Sequence, residues 1–341
     1  MGIFDWLRGR RAGQGDAAAE AAVDAAIEHL VDAMDSRLRL VDGYARKLRP
    51  AVMLALEQMQ MVVADIPGPV EFSRGTWSAD PLVRAFFASP QDLVRIFSAE
   101  PVVQEFFAAA GNALDDQCCV ALFVSQETKT TLGYVLQGDM MQGDVVRHSV
   151  SFSAHRLTRP AATDGGVRAS LRDMGLHYLA NQALERITGS RNERQMLEEE
   201  RNLLSLRLSA RSRFDHALES LLEDGRGWDA EGLQRQLGET EQRLASLSTP
   251  PRTLDEYLDF LRDVLEHVPD YVSISCQDLR LDHMNFLVED PESTAVSLRV
   301  CELRADGRPP RAVVIARFPR RELLSKEELA TAAGFGKMPL L

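Results

Sequence analysis

The stretch Arg191–Phe214 reads RNERQMLEEERNLLSLRLSARSRF, and it contains no glycine, no proline and one aromatic residue. Its leucines recur at intervals of three and four, which predicts an amphipathic helix. Two adjacent rows make a wide apolar stripe: Leu203, Leu206, Ala210, Phe214, Ala217 and Leu221 in the first, and Leu204, Leu208, Leu218 and Leu222 in the second. As contacts for a partner we predict Leu203, Leu206, Phe214, Leu218 and Leu221.

A second apolar pattern follows after a short link at residues 224–227 that contains two glycines. Leu233, Leu237, Thr240, Leu244 and Leu247 lie at alternating intervals of four and three, which is the coiled-coil repeat. Two such helices joined by a short link predict an antiparallel hairpin. The outgoing arm would span about 50 Å and the returning arm about 28 Å. Part of the first stripe therefore needs another partner, either the N-terminal helix, the sheet or a second copy of the chain.

The hairpin is expected to begin at a new helix. Residues 167–187 read as one helix that Gly189 would end, and Ser190 with Glu193 forms a capping box for the next. Upstream, a helix is expected from Asp16 to Lys47. Short capped helices then begin at Asp80-Pro81 and Ser89-Pro90, and a final one at Ser325 and Glu328.

Strand patterns flank the helical excursion on both sides. Before it, residues 120–124, 130–136 and 145–152 predict a three-stranded meander with turns at 126–129 and 138–143. After it, residues 271–276, 285–288, 295–301 and 312–318 predict further strands. We therefore predict an α+β fold: one antiparallel sheet built from strands before and after a long helical, coiled-coil hairpin excursion, with a mainly helical N-terminal region.

This pattern divides the chain into six segments. They are a flexible amphipathic segment at 1–15, a helical region at 16–117, antiparallel strands at 118–157, a helical segment with the hairpin at 166–248, a helix with antiparallel strands at 253–319, and a short helix with a loose tail at 320–341.

Composition narrows the class of protein. A net charge of −12 and a pI near 5.2 argue against a nucleic-acid partner, because proteins that bind phosphates show a basic excess. No secretory signal or membrane-spanning run is present, so cytoplasmic location is expected. Ile3, Phe4, Trp6 and Leu7 suit a weak contact with the inner-membrane surface. The alternative is a frayed terminus or a clip onto the protein body.

Chemical motifs are missing from the sequence. It contains no phosphate loop, dinucleotide fingerprint, zinc spacing or nucleophile elbow, so no catalytic residue, metal site or cofactor is predicted. The best candidates for anion contact are Arg299, Arg311 and Arg317, with a solvated face paired to acidic neighbours as the alternative. Cys276 and His283 could form a nucleophile and base, but a buried strand cysteine beside an exposed turn histidine is the explanation that the sequence favours.

Two functions remain open. The first is a non-enzymatic interaction or scaffold protein of the bacterial cytoplasm that binds a protein partner, or itself, through helical surfaces. The second is an enzyme or small-ligand or anion sensor with a pocket between sheet and helices. Light scattering and a pocket map distinguish these functions.

Overall fold

The computed structural model describes residues 14–112, 114–137, 140–218, 230–247, 250–251, 253–288 and 295–335. Internal contacts divide the chain into two units. The sheet unit consists mainly of Met53–Leu176 and His267–Leu341, and the helical unit consists of Gly2–Val52 together with His177–Glu266. The boundaries fall inside two helices, so each unit contains part of both.

The helices follow from local signals along the chain. Their bounds are α1 Gln14–Met34, α2 Tyr44–Ala64, α3 Arg74–Ala79, α4 Pro81–Phe86, α5 Pro90–Ala99, α6 Pro101–Ala108, α7 Asp164–Leu218, α8 Ala230–Ser246, α9 Leu254–Glu266, α10 Val268–Tyr271 and α11 Lys326–Phe335. Short 3₁₀ turns lie at Ser36–Leu40, Ala110–Asn112 and Arg320–Glu322. The predicted caps are confirmed: Asp80 accepts from the Leu82 amide, and Ser89 from the Asp92 amide.

The strands form a single sheet, as the fold-class prediction requires. Their bounds are β1 Val70–Glu71, β2 Gln117–Gln137, β3 Met140–Leu157, β4 Val272–Leu281, β5 Val296–Ala305 and β6 Arg311–Pro319. The order is β3-β2-β6-β5-β4, and every pair in this path is antiparallel. The short strand β1 adds to β6 in parallel. Strands from before and after the helical excursion therefore share one α+β sheet.

The sheet curves into a half-barrel, and residues 285–288 form hydrogen bonds with both of its edge strands, β3 and β4. The Leu287 amide donates to the His148 carbonyl at 2.8 Å on β3, and the Val288 amide donates to the Arg280 carbonyl at 2.9 Å on β4. These bonds link the two edge strands through one short segment. The edges near these residues are thus paired, which removes a site of strand addition.

Both faces of the sheet are packed within the sheet unit. On the inner face, Leu122, Val314 and Phe318 join a cluster with phenylalanines from α4 and α5. Phe97 and Phe318 stack with ring centroids 4.8 Å apart. On the other face, Val313 and Ile315 pack with Val63 near the end of α2, with Ile66 just after it, and with Val167 and Leu171 near the start of α7. Apolar residues on both sides explain why β6 is buried almost throughout.

The predicted three-stranded meander is wrong in its first part. Residues 126–129 lie inside the continuous strand β2, where Gln126 pairs with Phe152 and Lys129 with Ser149. This stretch of β2 lies beyond its pairing with β6, which ends at Val124, and much of it is exposed. An exposed two-stranded ribbon tolerates polar residues on both faces. Its amino-acid composition is therefore similar to that of a turn, which is why the sequence predicted one here.

Two helix boundaries also differ from the prediction. Helix α7 runs through Gly189 and Ser190 without a break, although a glycine inside a helix costs about 1 kcal/mol. Ile187 just before it is buried, and Arg191 just after it is held by two contacts, so packing on both sides maintains the helix. The predicted N-terminal helix ends instead at Met34, where Asp35 accepts a hydrogen bond from the Arg37 amide at 2.9 Å.

Candidate functional site

We call the part of α7 from Arg191 onward, together with α8, the arm; both belong to the helical unit. At its base an Arg191 guanidinium nitrogen donates to the Pro251 carbonyl at 2.9 Å, and the same side chain lies 5.2 Å from the centre of the Tyr257 ring. Arg191, at the start of this part of α7, is therefore in contact with the residues that follow α8. The part of α7 from Arg191 to Leu218 is about 42 Å long, and α8 is about 26 Å long.

One face of the arm is covered. Leu204 is buried on α7, and Leu197 and Leu208 beside it are half-buried. On α8, Thr240 is buried, and its hydroxyl donates to the Gln236 carbonyl at 2.9 Å, which satisfies the buried polar group. The half-buried leucines of α8 lie on either side of it: Leu233, Leu237, Leu244 and Leu247. We call this covered side of α7 the inner face.

The opposite side of α7 exposes large apolar side chains to solvent. Met196 is 70% exposed, Leu203 is 49% exposed and Leu206 is 66% exposed. We call these three residues the outer stripe. At 100° per residue, the outer stripe and the inner face point in directions roughly 140° apart around the helix. Helix α7 therefore carries two apolar surfaces, and the outer stripe is open.

The predicted stripe falls partly on this surface. Leu203 and Leu206 lie in the outer stripe. Phe214 and Leu218 lie on α7, but their side chains are outside the described residues, as is Leu221 altogether. Partner binding through this stripe stays a prediction. Met196 was missed, although its spacing of seven residues from Leu203 is a signal that could have found it.

Charge along α7 changes sign near the middle of the arm. Residues 193–200 contain four glutamates and one arginine, whereas residues 201–213 contain four arginines and no acidic residue. Arg194 pairs with Glu198 at 3.0 Å along the helix. Glu200 and Arg207 are exposed beside the outer stripe. Within the arm, α7 therefore has an acidic segment at residues 193–200 followed by a basic segment at residues 201–213.

The three arginines predicted to bind anions share one face of the sheet, on neighbouring strands. Arg311 and Arg317 are six residues apart on β6, which is about 20 Å along a strand. The Arg311 guanidinium donates to the Ala154 carbonyl at 3.0 Å, and Arg299 lies directly opposite Asp278 in the pairing of β4 with β5. The distance exceeds the reach of one phosphate. Anion binding by the three arginines stays a prediction.

Cysteine chemistry differs from the prediction. Cys276 lies on an exposed stretch of β4 and forms a disulfide with Cys301, directly opposite on β5, so it is not a free thiol beside His283. The free Cys118 is buried, and burial raises the pKa of its thiol to about 12. A thiol with such a pKa supplies almost no thiolate nucleophile at neutral pH.

His155 and two surface depressions were the next candidates for a site. His155 Nε2 donates a hydrogen bond to the Phe86 carbonyl, 2.7 Å away, and the ring stacks on Phe87, so it has a packing role. No group of three metal-ligating side chains occurs among the described residues. One surface depression of about 430 Å³ is lined by residues of α8 alone, from Glu239 to Ser246. A second, of about 210 Å³, lies between Gln104 and Leu323.

The membrane prediction rests on residues that the structure does not describe, since Ile3, Phe4, Trp6 and Leu7 precede residue 14. Among the described residues, no helix has the length and apolar character needed to cross a bilayer. Comparison of the chain with protein-family models, with curated proteins and with solved structures gives no match. A functional proposal must therefore come from the residues themselves, and the outer stripe is the surface that carries one.

Proposed function

We propose that this chain is a non-enzymatic interaction protein of the bacterial cytoplasm, and that its helical arm binds a protein partner through the outer stripe. The observation that carries the proposal is the exposure of Met196, Leu203 and Leu206 on a helix whose inner face is already covered. Single exposed apolar residues are common on protein surfaces, but aligned ones mark binding sites. Partner helices are recognised through such i, i+3 and i+7 positions.

Energetics favour this interpretation over a purely architectural arm. Ordering a residue costs roughly 1–2 kcal/mol of backbone entropy, and the covered inner face must already offset that cost for both helices. A second apolar row adds nothing to the isolated arm, because its side chains remain in water. Its contribution appears only when another surface covers it. We take the pairing of α7 with α8 along the inner face to be coiled-coil in type, as the spacing on both helices suggests.

The alternative function, an enzyme or ligand sensor, has less support. The two surface depressions contain no cysteine or histidine, and Arg320 of the smaller one is occupied by the Phe107 and Asn112 carbonyls. The arginines predicted to bind an anion are spread along the sheet.

A photo-crosslinking amino acid placed on α7 tests the proposal in living cells. At Leu206 it should capture a protein, because this side chain lies in the outer stripe. At Ser205, the neighbouring exposed position outside the stripe, it should capture much less. Equal labelling at both positions, or no adduct at Leu206, would contradict the proposed function.

The cytoplasmic part of the proposal has its own test. Structural disulfides are rare in a reducing cytosol, so the bond between Cys276 and Cys301 should be open in the cell and close on purification. Rapid alkylation of intact cells should then modify both cysteines. Finding the pair protected as a disulfide in that experiment would place the protein in an oxidising compartment.

A further inference from the structure

We infer that the partner of the outer stripe is a second copy of this chain, docked with the two α7 helices antiparallel. The inference rests on the proposed function and names its partner. Its basis is the combination of the exposed apolar row with the reversal of charge along the same helix.

The heptad positions define the contact. Met196 and Leu203 are seven residues apart and occupy a positions, and Leu206 occupies the following d position. Glu200 and Arg207 then occupy e positions, and both are exposed. Leu204 takes the b position and faces the covered inner side, so the seam already buried in the arm is not needed for the new contact.

Charge selects the orientation. In a parallel pair of α7 helices, the acidic residues 193–200 would lie beside the same acidic segment, and the basic residues 201–213 beside their own copy. Like charges in contact destabilise such a pair. In an antiparallel pair the acidic segment, with a net charge of −3, points toward the end of the partner that carries the basic segment, with a net charge of +4. Every chain then supplies both complementary surfaces, which closes the assembly as a two-fold dimer.

One register pairs the two leucines of the outer stripe and sets Glu198 opposite the partner's Arg211, while Met196 lies opposite the partner's Arg213. Placing Leu203 against the partner's Leu206 puts the two-fold axis beside Leu204 and Ser205, which is also the middle of the arm segment Arg191–Leu218. The two arm segments then overlap along their full length. Antiparallel coiled coils bring e positions together, so Glu200 faces the partner's Arg207, and the same contact is repeated by symmetry.

A charge-reversal series tests this register. E200R and R207E each turn two attractive contacts into two repulsive ones, and we expect the dissociation constant of the dimer to rise roughly ten- to thirtyfold. The double variant E200R/R207E restores opposite charges and should dimerise like the natural chain. A mixture of the two single variants should form a heterodimer, because one arm then carries only arginine and the other only glutamate at these positions. Sedimentation velocity of the full chain measures all five samples, with S205E as a control outside the stripe.

The outcomes separate this inference from the proposed function. Weakened dimers for both single variants and recovery in the mixture support the antiparallel pair, and recovery also shows that the variants are folded. A monomeric natural chain, or a mixture as weak as its components, overturns the inference. If crosslinking at Leu206 nevertheless captures a different protein, the arm is an interaction surface for another partner and the proposed function stands.

Discussion

Truncating Leu203 and Leu206 to alanine should weaken self-association strongly while leaving the fold intact. Burying a whole leucine side chain contributes about 1.5–3 kcal/mol. The exposed fractions of 49% and 66% leave about 1 kcal/mol per side chain to be gained in a dimer. Because a two-fold dimer contains each leucine twice, the double variant loses about 4 kcal/mol, or roughly a thousandfold in the dissociation constant.

The assay is sedimentation equilibrium over a concentration series, accompanied by urea unfolding of the same samples. Alanine is the best helix former, so the L203A/L206A arm should keep its helix and lose little stability. The matched control is L204A on the inner face, which is 4% exposed. That variant should lower the free energy of unfolding by about 2–4 kcal/mol through a cavity, with a smaller direct effect on association. An L203A/L206A chain that associates as tightly as the natural one would refute the reasoning.

Three further predictions concern the sheet unit. Replacing Cys276 and Cys301 by serine should lower the free energy of unfolding by about 3 kcal/mol, because the bond closes a loop with a sequence separation of 25; equal urea midpoints for oxidised protein and variant would contradict this. Burial lowers the pKa of His155, so the unfolded chain binds a proton at this histidine more readily than the folded chain does. The stabilisation should be fully present above about pH 6.5 and should fall as the pH drops below that value. In urea unfolding at a series of pH values, H155F should flatten this part of the profile. Gly68 has a φ of +120°, and a Cβ there would lie 2.4 Å from the Ile315 carbonyl oxygen, so G68A should cost about 2–4 kcal/mol in thermal unfolding, whereas G111A, with open space around it, should cost under about 1 kcal/mol.

Local signals were sufficient for much of the fold. The caps at Asp80, Ser89 and Ser325 are right because a cap depends on residues within one helical turn. The α+β class, and the presence of strands before and after the helical excursion, follow from the change in the spacing of apolar residues between helical and strand segments. This spacing is a local property of each segment. The break predicted at Gly189 is wrong because the cost of a glycine inside a helix is small compared with the packing of the neighbouring residues. That packing involves distant residues and cannot be predicted from the local sequence.

Pairing between residues far apart in the chain could not be predicted from the sequence. The disulfide joins cysteines that are 25 residues apart, and only the register of β4 with β5 places them opposite each other. The edges of the half-barrel are linked through the Leu287 and Val288 amides. In the sequence, residues 285–288 have the pattern of an ordinary strand, and nothing in that pattern indicates this link.

The candidate site was predicted as a wide stripe whose two rows could not be assigned to faces. Spacing shows that the rows containing Leu203 and Leu204 are both apolar, but which row is covered depends on where the chain returns. The contact of Arg191 with the Pro251 carbonyl fixes that return, and burial then separates the two rows. The unequal lengths of the arms predicted that apolar surface on α7 would need another partner, and Leu203 and Leu206 are exposed.

The most direct test of the central claim is the distance between spin labels on two copies of the chain. The free cysteines Cys118 and Cys119 are buried, so a cysteine introduced at Ser205 or Gln195 is the accessible thiol for the label. An antiparallel pair centred beside Ser205 predicts a short distance for labels at 205, near the helix spacing of about 10 Å plus the label arms. It predicts about 30 Å for labels at 195, which lie 19 residues apart along the paired rods. Equal short distances at both sites, or no distance between chains at either, would contradict the account.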